Sequence, residues 1–454
     1  MPPPDDPGKP VDPDVELRAI PQAGRRSTGW STGGAPSTVD AVISTLPRLV
    51  RRMRVAAATT LVVGLLTSAC ASTAAPPPAP TESCRPTDRG RLLSVAPTDR
   101  LSPAQVATAL ASARLAAPAE RGVDGYRVLY CTVSPQQRPS TASGLLALPH
   151  GLQGALPLVV YEHSTVTEKQ NVPSDRPTGD GLLAPPFFAT AGFAVIAPDY
   201  LGLGASNGPH PFMDAPSEAS ATRDLLPAAE QAATHLGVHL SHDVLLTGHS
   251  QGGSAVMAVG QTLQREGGPW RMRALAPMAG PYDLAATELP AILDSRAVDP
   301  HRASAYLAYL LIAWNELHPF APNLGEVFTP PFADTVDALF DGTHGFGDIA
   351  AALPPPQQLF QPSVQELITH PSGSFAAALA ASEVCRWAPR VPTRLYAGQA
   401  DRDVVFANSD ACRAQINAAG GHATVIDLGS VDHVGTAILA LPAIRHWFLA
   451  LSDH

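Results

Sequence analysis

Residues 243–260 read DVLLTGHSQGGSAVMAVG and hold three features in immediate succession. Val244 to Leu246 form a short apolar run of the kind that makes a buried strand. GHSQG then sets a serine among small neighbours, and from Gly252 onward Ala, Val and Met recur at helical spacing until Gly267 and Gly268 supply a stop. Ser250 therefore falls on the turn between a strand and a helix. The five-residue pattern G-x-S-x-G decides nothing alone, because it recurs as GWSTG at 29–33 and GASNG at 204–208. GWSTG lies among Pro, Gly, Ser and Asp residues with no apolar periodicity. GASNG runs directly into Pro209 and Pro211 and reads as loop. Context singles out the copy at 248–252.

From Tyr126 onward the chain alternates strand-like and helix-like segments. YRVLYCTV, SGLLALP, LPLVVYEHS, GFAVIAPDY, DVLLTGHS and ALAPMAG are six strand candidates in order, and TRLYAG and ATVIDLG follow later. EASATRDLLPAAEQAATHL, between the fourth and fifth, carries Ala, Leu and charges at helical spacing. Alternation of this kind predicts a mostly parallel sheet covered by helices on both faces, with ligands at the carboxyl ends of the strands. Residues of about 285–390, after the sixth strand, contain no clear strand; RASAYLAYLLIAWNEL and other helical stretches there predict a helical cap. Its aromatic helix, with Tyr306, Tyr309 and Trp314, has two readings: the cap's own core, or the lining of an apolar pocket.

Composition bounds the function. With 45% hydrophobic and 15% charged residues, the chain is globular with a sizeable core. The net charge of −10 argues against a nucleic-acid partner, which calls for a basic face. Residues 1–52 are expected to be a disordered leader, and a start at Met53 would give a compact signal at 53–69. There, basic residues including Arg54 precede an uncharged run and small residues lead to Cys70. Ser68-Ala69-Cys70 also resembles a bacterial lipobox, which would make Cys70 a lipidated N-terminus and associate the protein with a membrane. Simple secretion and an uncleaved anchor are the other two readings, the uncharged stretch being long enough to span a bilayer. All three place the rest outside the cytoplasm. Residues 70–83 form a stiff Pro-rich tether, and 84–454 the folded domain. With Cys70 set aside, Cys84, Cys131, Cys385 and Cys412 make an even number suited to an oxidising compartment. Each of the pairs Cys84 with Cys131 and Cys385 with Cys412 brackets a local unit. No Cys or His cluster has zinc spacing, so neither a metal nor another cofactor is expected.

A serine hydroxyl becomes a useful nucleophile only when a histidine takes its proton, and the histidine needs an acid to hold its tautomer. Downstream of Ser250, TRLYAG runs into GQADRDVV, offering Asp401 with Asp403 in reserve. ATVIDLG then runs into SVDHVG, offering His433. The lone histidines His163 and His210 read as packed residues, and His249 as one that shapes the turn.

With Ser, Asp and His in this order at successive strand ends, residues 124–450 resemble the α/β-hydrolase superfamily, and within it secretory lipase-like serine esterases. ASGLLALP, VVYEHST, AGFAVIAPDYLGLGAS and GPYDL share in the resemblance. It implies an α/β-hydrolase fold and an oxyanion hole made by the amides of Thr165 and Gln251. The loop reads His163-Ser164-Thr165 where the family usually has His-Gly-X, so a serine stands in a glycine position. Asp199, Tyr200 and Gly204 match the family's structural turn after the fourth strand. The implied activity is hydrolysis of a small-molecule or lipid ester without a cofactor. A peptidase, a cell-envelope acyltransferase and a non-catalytic surface binding protein remain the alternatives.

Overall fold

The computed structural model describes residues 84–452 apart from Ala116 and Gln153. The expected leader, signal, Cys70 and tether, and GWSTG, lie outside the described residues.

Nine strands form one sheet: β1 Leu92–Leu101, β2 Val123–Val133, β3 Pro139–Pro149, β4 Ala155–Glu162, β5 Ala194–Pro198, β6 His239–His249, β7 Arg271–Met278, β8 Arg394–Ala397 and β9 Thr424–Asp427. Their order is β1-β2-β3-β5-β4-β6-β7-β8-β9. β1, β2, β3 and β5 pair antiparallel in turn, and every pairing from β5 to β9 is parallel. Parallel strands are covered on both faces, which is why β5 reads AVIAP with every residue buried. Burying each Val or Ile there contributes on the order of 1.5–3 kcal/mol.

The helices are α1 Pro103–Ser112, α2 Gly179–Ala189, α3 Ala215–His235, α4 Gln251–Glu266, α5 Leu289–Ile292, α6 Pro300–Leu317, α7 Phe346–Ala352, α8 Pro356–Leu359, α9 Pro362–Thr369, α10 Gly373–Ala381, α11 Ala407–Ala418 and α12 His433–Ser452. One core, including Leu225, Val256 and Ile416, packs α3, α4 and α11 on one face of the sheet. The opposite core holds Val106, Phe187 and Ile444 from α1, α2 and α12. Helix α12 is long and apolar enough to cross a membrane, but Ala440, Leu441, Ile444 and Phe448 bury against the sheet.

The cap lies between β7 and β8, with a core of its own that includes Leu289, Trp314, Phe328 and Phe360. It follows the ALAPM strand, the sixth read from sequence, which is numbered β7 here because β1 precedes the strands read from sequence. β1 escaped notice because it is a half-exposed edge whose register shifts between Pro97 and Arg100, which destroys the two-residue period. Both disulfides are formed, Cys84–Cys131 and Cys385–Cys412. The first ties the start of the domain to β2; the second ties the end of the cap to α11.

Candidate active site

β6 ends at His249, and Ser250 turns the chain into α4 with φ 59° and ψ −122°. A side chain in this region is strained, and the strain is held by packing. The Ser250 N–H donates to the Met278 carbonyl at 3.0 Å, and the Ser250 carbonyl accepts from Gly253 N–H at 2.8 Å. Glycine is required alongside: a Cβ at Gly252 would stand 2.0 Å from the Glu162 carbonyl oxygen, and one at Gly248 2.5 Å from that of Gly252. The turn thus pushes Ser250 to the carboxyl end of the sheet, beside the end of β4.

The loops after β8 and β9 meet there. His433 Nδ1 lies 2.7 Å from Asp401 Oδ2, and both side chains are buried. Asp401 Oδ1 accepts the N–H groups of Asp403 and Val404 at 2.9 and 3.0 Å. Burial alone would raise Asp401, but His433 and the two amides outweigh it and hold the carboxyl below its usual range. Burial likewise opposes charge on His433, and Asp401, with Asp403 behind it, lifts the imidazole up to about 9. Its Nε2 is buried and bonds no described residue. His249 packs at a tilt against His433, with ring centroids 4.4 Å apart, and donates Nε2–H to the His433 carbonyl at 3.1 Å. Burial pushes His249 down to about 4, so it stays neutral. Asp403 turns away to Arg302 and to the Tyr306 hydroxyl. Asp432 caps α12 by accepting Gly435 N–H at 2.7 Å. Asp401, Asp403 and His433 each bring a possible metal-ligand atom within 4.8 Å of the others; Asp401 Oδ2 is paired with His433 Nδ1, and Asp403 Oδ1 with Arg302.

The loop after β4 supplies the other wall. Ser164 donates from its N–H and its hydroxyl to Asp180, at 3.0 and 2.5 Å, and Tyr161 donates to the same carboxylate at 2.7 Å. Ser164 is not among the residues with positive φ, so serine stands without strain where the resemblance implied glycine. The Tyr200 hydroxyl donates to the His163 carbonyl at 3.0 Å. Thr165 and Gln251 follow, and neither backbone N–H has an acceptor among the described residues. Both residues line one pocket with Ser250, and the cap closes it with Leu284, Leu289, Ile292 and Leu310.

A solved protein of Legionella pneumophila, assigned only as a hydrolase, superposes with a TM-score of 0.74 at 25% identity, covering 79% of this chain and 98% of its own. The rice cell wall degrading esterase LipA of Xanthomonas oryzae, in a ligand-bound form, gives 0.70 at 27% identity over 81% of this chain and 98% of its own. Candida antarctica lipase A in its closed state gives 0.59 at 13% identity over 80% and 82%, a likeness of fold alone. No protein-family model matches the chain, and no curated protein does. The chain has the α/β-hydrolase fold. The first two neighbours support a hydrolase on that fold.

Within the α/β-hydrolase frame, the remaining residues named from sequence fall into place. Asp199 is buried and accepts from Ser143 and Ser174, and a Cβ at Gly204 would stand 2.5 Å from its Oδ2. GASNG is loop. His163 donates to the Ser164 carbonyl, and His210 to that of Leu201. The aromatic helix α6 divides by face: Trp314 belongs to the cap core and donates to the Phe212 carbonyl, whereas Tyr306 lines the pocket. Sequence reasoning missed Asp180 and Glu288. Asp180 had a signal, an acid in the first turn after Thr178 and Gly179; Glu288 had none.

Proposed function

We propose that the protein is a serine carboxylic ester hydrolase acting outside the cytoplasm. One observation carries the reading: the Asp401–His433 pair packs on His249, the neighbour of a strained Ser250, and Ser250 lines an apolar pocket with Thr165 and Gln251, whose amides have no acceptor among the described residues. Ser250 Oγ attacks the ester carbonyl while His433 Nε2 takes its proton, and Asp401 fixes the imidazole through Nδ1 and stabilises its charge. The Thr165 and Gln251 amides receive the oxyanion, a term worth about 3 kcal/mol per donor. His433 then returns the proton to the leaving alcohol, and water releases the acyl group by the reverse route. The cap's aliphatic walls favour an ester with a largely apolar acyl or alcohol part. The two disulfides suit an oxidising compartment, and Cys70 would tether the domain to a membrane through lipid.

Hydrolysis of p-nitrophenyl esters of rising chain length by the wild type and Ser250→Ala tests this reading. Equal rates in both would overturn it. Faster transfer to an added glycerol than to water would replace hydrolase by acyltransferase, and preferential cleavage of amides would replace it by peptidase. Failure of a fluorophosphonate to label Ser250 would leave a binding protein. Loss of lipid labelling in Cys70→Ala tests the tether.

A further inference from the structure

One polar group in the pocket wall has no part in acyl transfer. Glu288 ends the π-helical turn Leu284–Glu288 and is 3% exposed, yet it shares the pocket with Ser250, Thr165 and Gln251. Its Oε2 is committed, accepting Asn408 Nδ2–H at 2.5 Å and, more loosely, Val405 N–H at 3.4 Å. The Asn408 amide cannot be reversed, because the Asp283 N–H donates to its Oδ1 at 3.2 Å. Oε2 is therefore an acceptor, and a proton on this carboxyl belongs on Oε1. Oε1 bonds none of the described residues and is not among the buried atoms sealed without a partner, which leaves it to the pocket.

The surroundings favour the neutral acid. Leu284, Leu289, Ile292 and Met213 line the same space. Burial pushes the carboxyl up to about 8 against the pull of Asn408 and Val405; Asp401 adds to the rise, and His433 opposes it. Asp403, the other acid in the wall, is bound to Arg302 and Tyr306. The clamp on Asn408 needs only an acceptor, so a glutamine would satisfy it; the second oxygen is free for another use.

The pocket also has a side. Its walls include Ser250 and both amide donors but neither His249 nor His433. On the serine esterase reading the imidazole serves the leaving alcohol, and the apolar walls that adjoin Ser250 and the two amides are assigned to the acyl chain.

We propose that Glu288 determines acyl specificity, its Oε1–H donating a hydrogen bond to an acceptor oxygen carried along the substrate's acyl chain. This rests on the serine esterase reading. An all-carbon chain of the same length would leave a buried donor unpaired, at a cost of roughly 10- to 100-fold in kcat/KM.

The test is a set of p-nitrophenyl esters of one chain length in which each methylene in turn is replaced by an ether oxygen, which can only accept. Rates are corrected for each ester's hydrolysis by hydroxide, and the readout is the ratio to the all-carbon ester. The wild type should favour one oxygen position by about tenfold or more. Glu288→Leu should bring that ratio near one, while Glu288→Gln, which keeps the acceptor for Asn408 and offers an N–H to the pocket, should retain it. The wild-type ratio should fall as pH rises through about 8, when the donor is lost, and stay flat in Glu288→Gln; His433 acts on both esters and cancels. No favoured position, or one that Glu288→Leu keeps, overturns the proposal. Should the leucine variant not fold, the glutamine variant decides: a lost ratio, or a pH dependence like that of the wild type, sinks the idea. Hydrolysis that survives Ser250→Ala would instead sink the esterase reading, whereas Ser250-dependent hydrolysis without an oxygen preference removes only the role of Glu288.

Discussion

The carboxyl end of the sheet and the cap above it hold their residues by different means. At the sheet end, backbone does the holding: Ser250 at positive φ, glycines pressed against carbonyls, and Asp401 fixed by two amides. In the cap, side chains do it. Tyr309 stacks on Phe212 with centroids 4.5 Å apart and on Phe340 at 5.0 Å, and Trp314 packs on Phe375 at 5.7 Å. Backbone-set geometry is indifferent to which ester arrives, but tolerates almost no substitution. A side-chain core accepts volume-conserving change and can be reshaped. On the proposed reading, chemistry accordingly belongs to the sheet end and selectivity to the cap.

The largest effects should come from the sheet end. Ser250→Ala should lower kcat by about 10⁴-fold or more with thermal unfolding unchanged. Asp401→Asn should cost about 10³- to 10⁴-fold, because the imidazole loses its orienting charge, whereas Asp403→Asn should cost far less. The pH profile gives the sign. A general base works unprotonated, and Asp401 holds His433 above its ordinary value, so kcat/KM should climb with pH toward about 9. Removing the Asp401 charge should move that limb to lower pH. An unmoved limb would place the titrating group elsewhere. The disulfides sharpen the contrast. Replacing either pair by serines should remove roughly 3–4 kcal/mol in urea unfolding by chain entropy. Only loss of Cys385–Cys412, which joins the cap to α11 behind the Asp401 loop, should also reduce turnover. In the cap itself, Ile292→Trp should leave acetate ester hydrolysis nearly intact and disfavour longer acyl chains by about 10- to 100-fold. A uniform loss across chain lengths would mean that the cap holds the machinery as well as the pocket.

Much of the sheet end was legible because its determinants are local. A strand, small residues and a helix around Ser250, and an acid and a histidine just past later strands, are patterns within a few residues, and β6, β8 and β9 do bring those ends to one side of the sheet. The parts that escaped are broken or long-range. Helix α2 carries Pro185 and Pro186 inside it, which argues against a helix from sequence, and burial of Phe187 and Phe188 overrides that preference. Helix α1 had a readable capping box, Ser102 with Gln105, that passed unused. Asp180 reaches back 16 residues to Ser164, and Glu288 reaches forward 120 to Asn408. Asp180 at least sits in the first turn of a helix, whereas a carboxyl buried like Glu288 by so distant a partner leaves no spacing to read.

The smallest effect expected lies on the boundary between the two regimes. Ser164 occupies a backbone-set loop, but one of its two bonds to Asp180 comes from its side chain. Ser164→Gly restores the residue that the resemblance implied while keeping the N–H bond and removing the hydroxyl bond to a carboxylate, worth about 1.5–3 kcal/mol at most. If the Thr165 amide is aimed by that anchor, kcat should fall about 5- to 20-fold with KM little changed, because an oxyanion donor acts chiefly in the transition state. Unchanged kcat would mean that the amide bond to Asp180 and the Tyr200 hydroxyl on the His163 carbonyl suffice. The oxyanion loop would then belong wholly to the backbone-set part of the molecule, with the serine hydroxyl adding only stability.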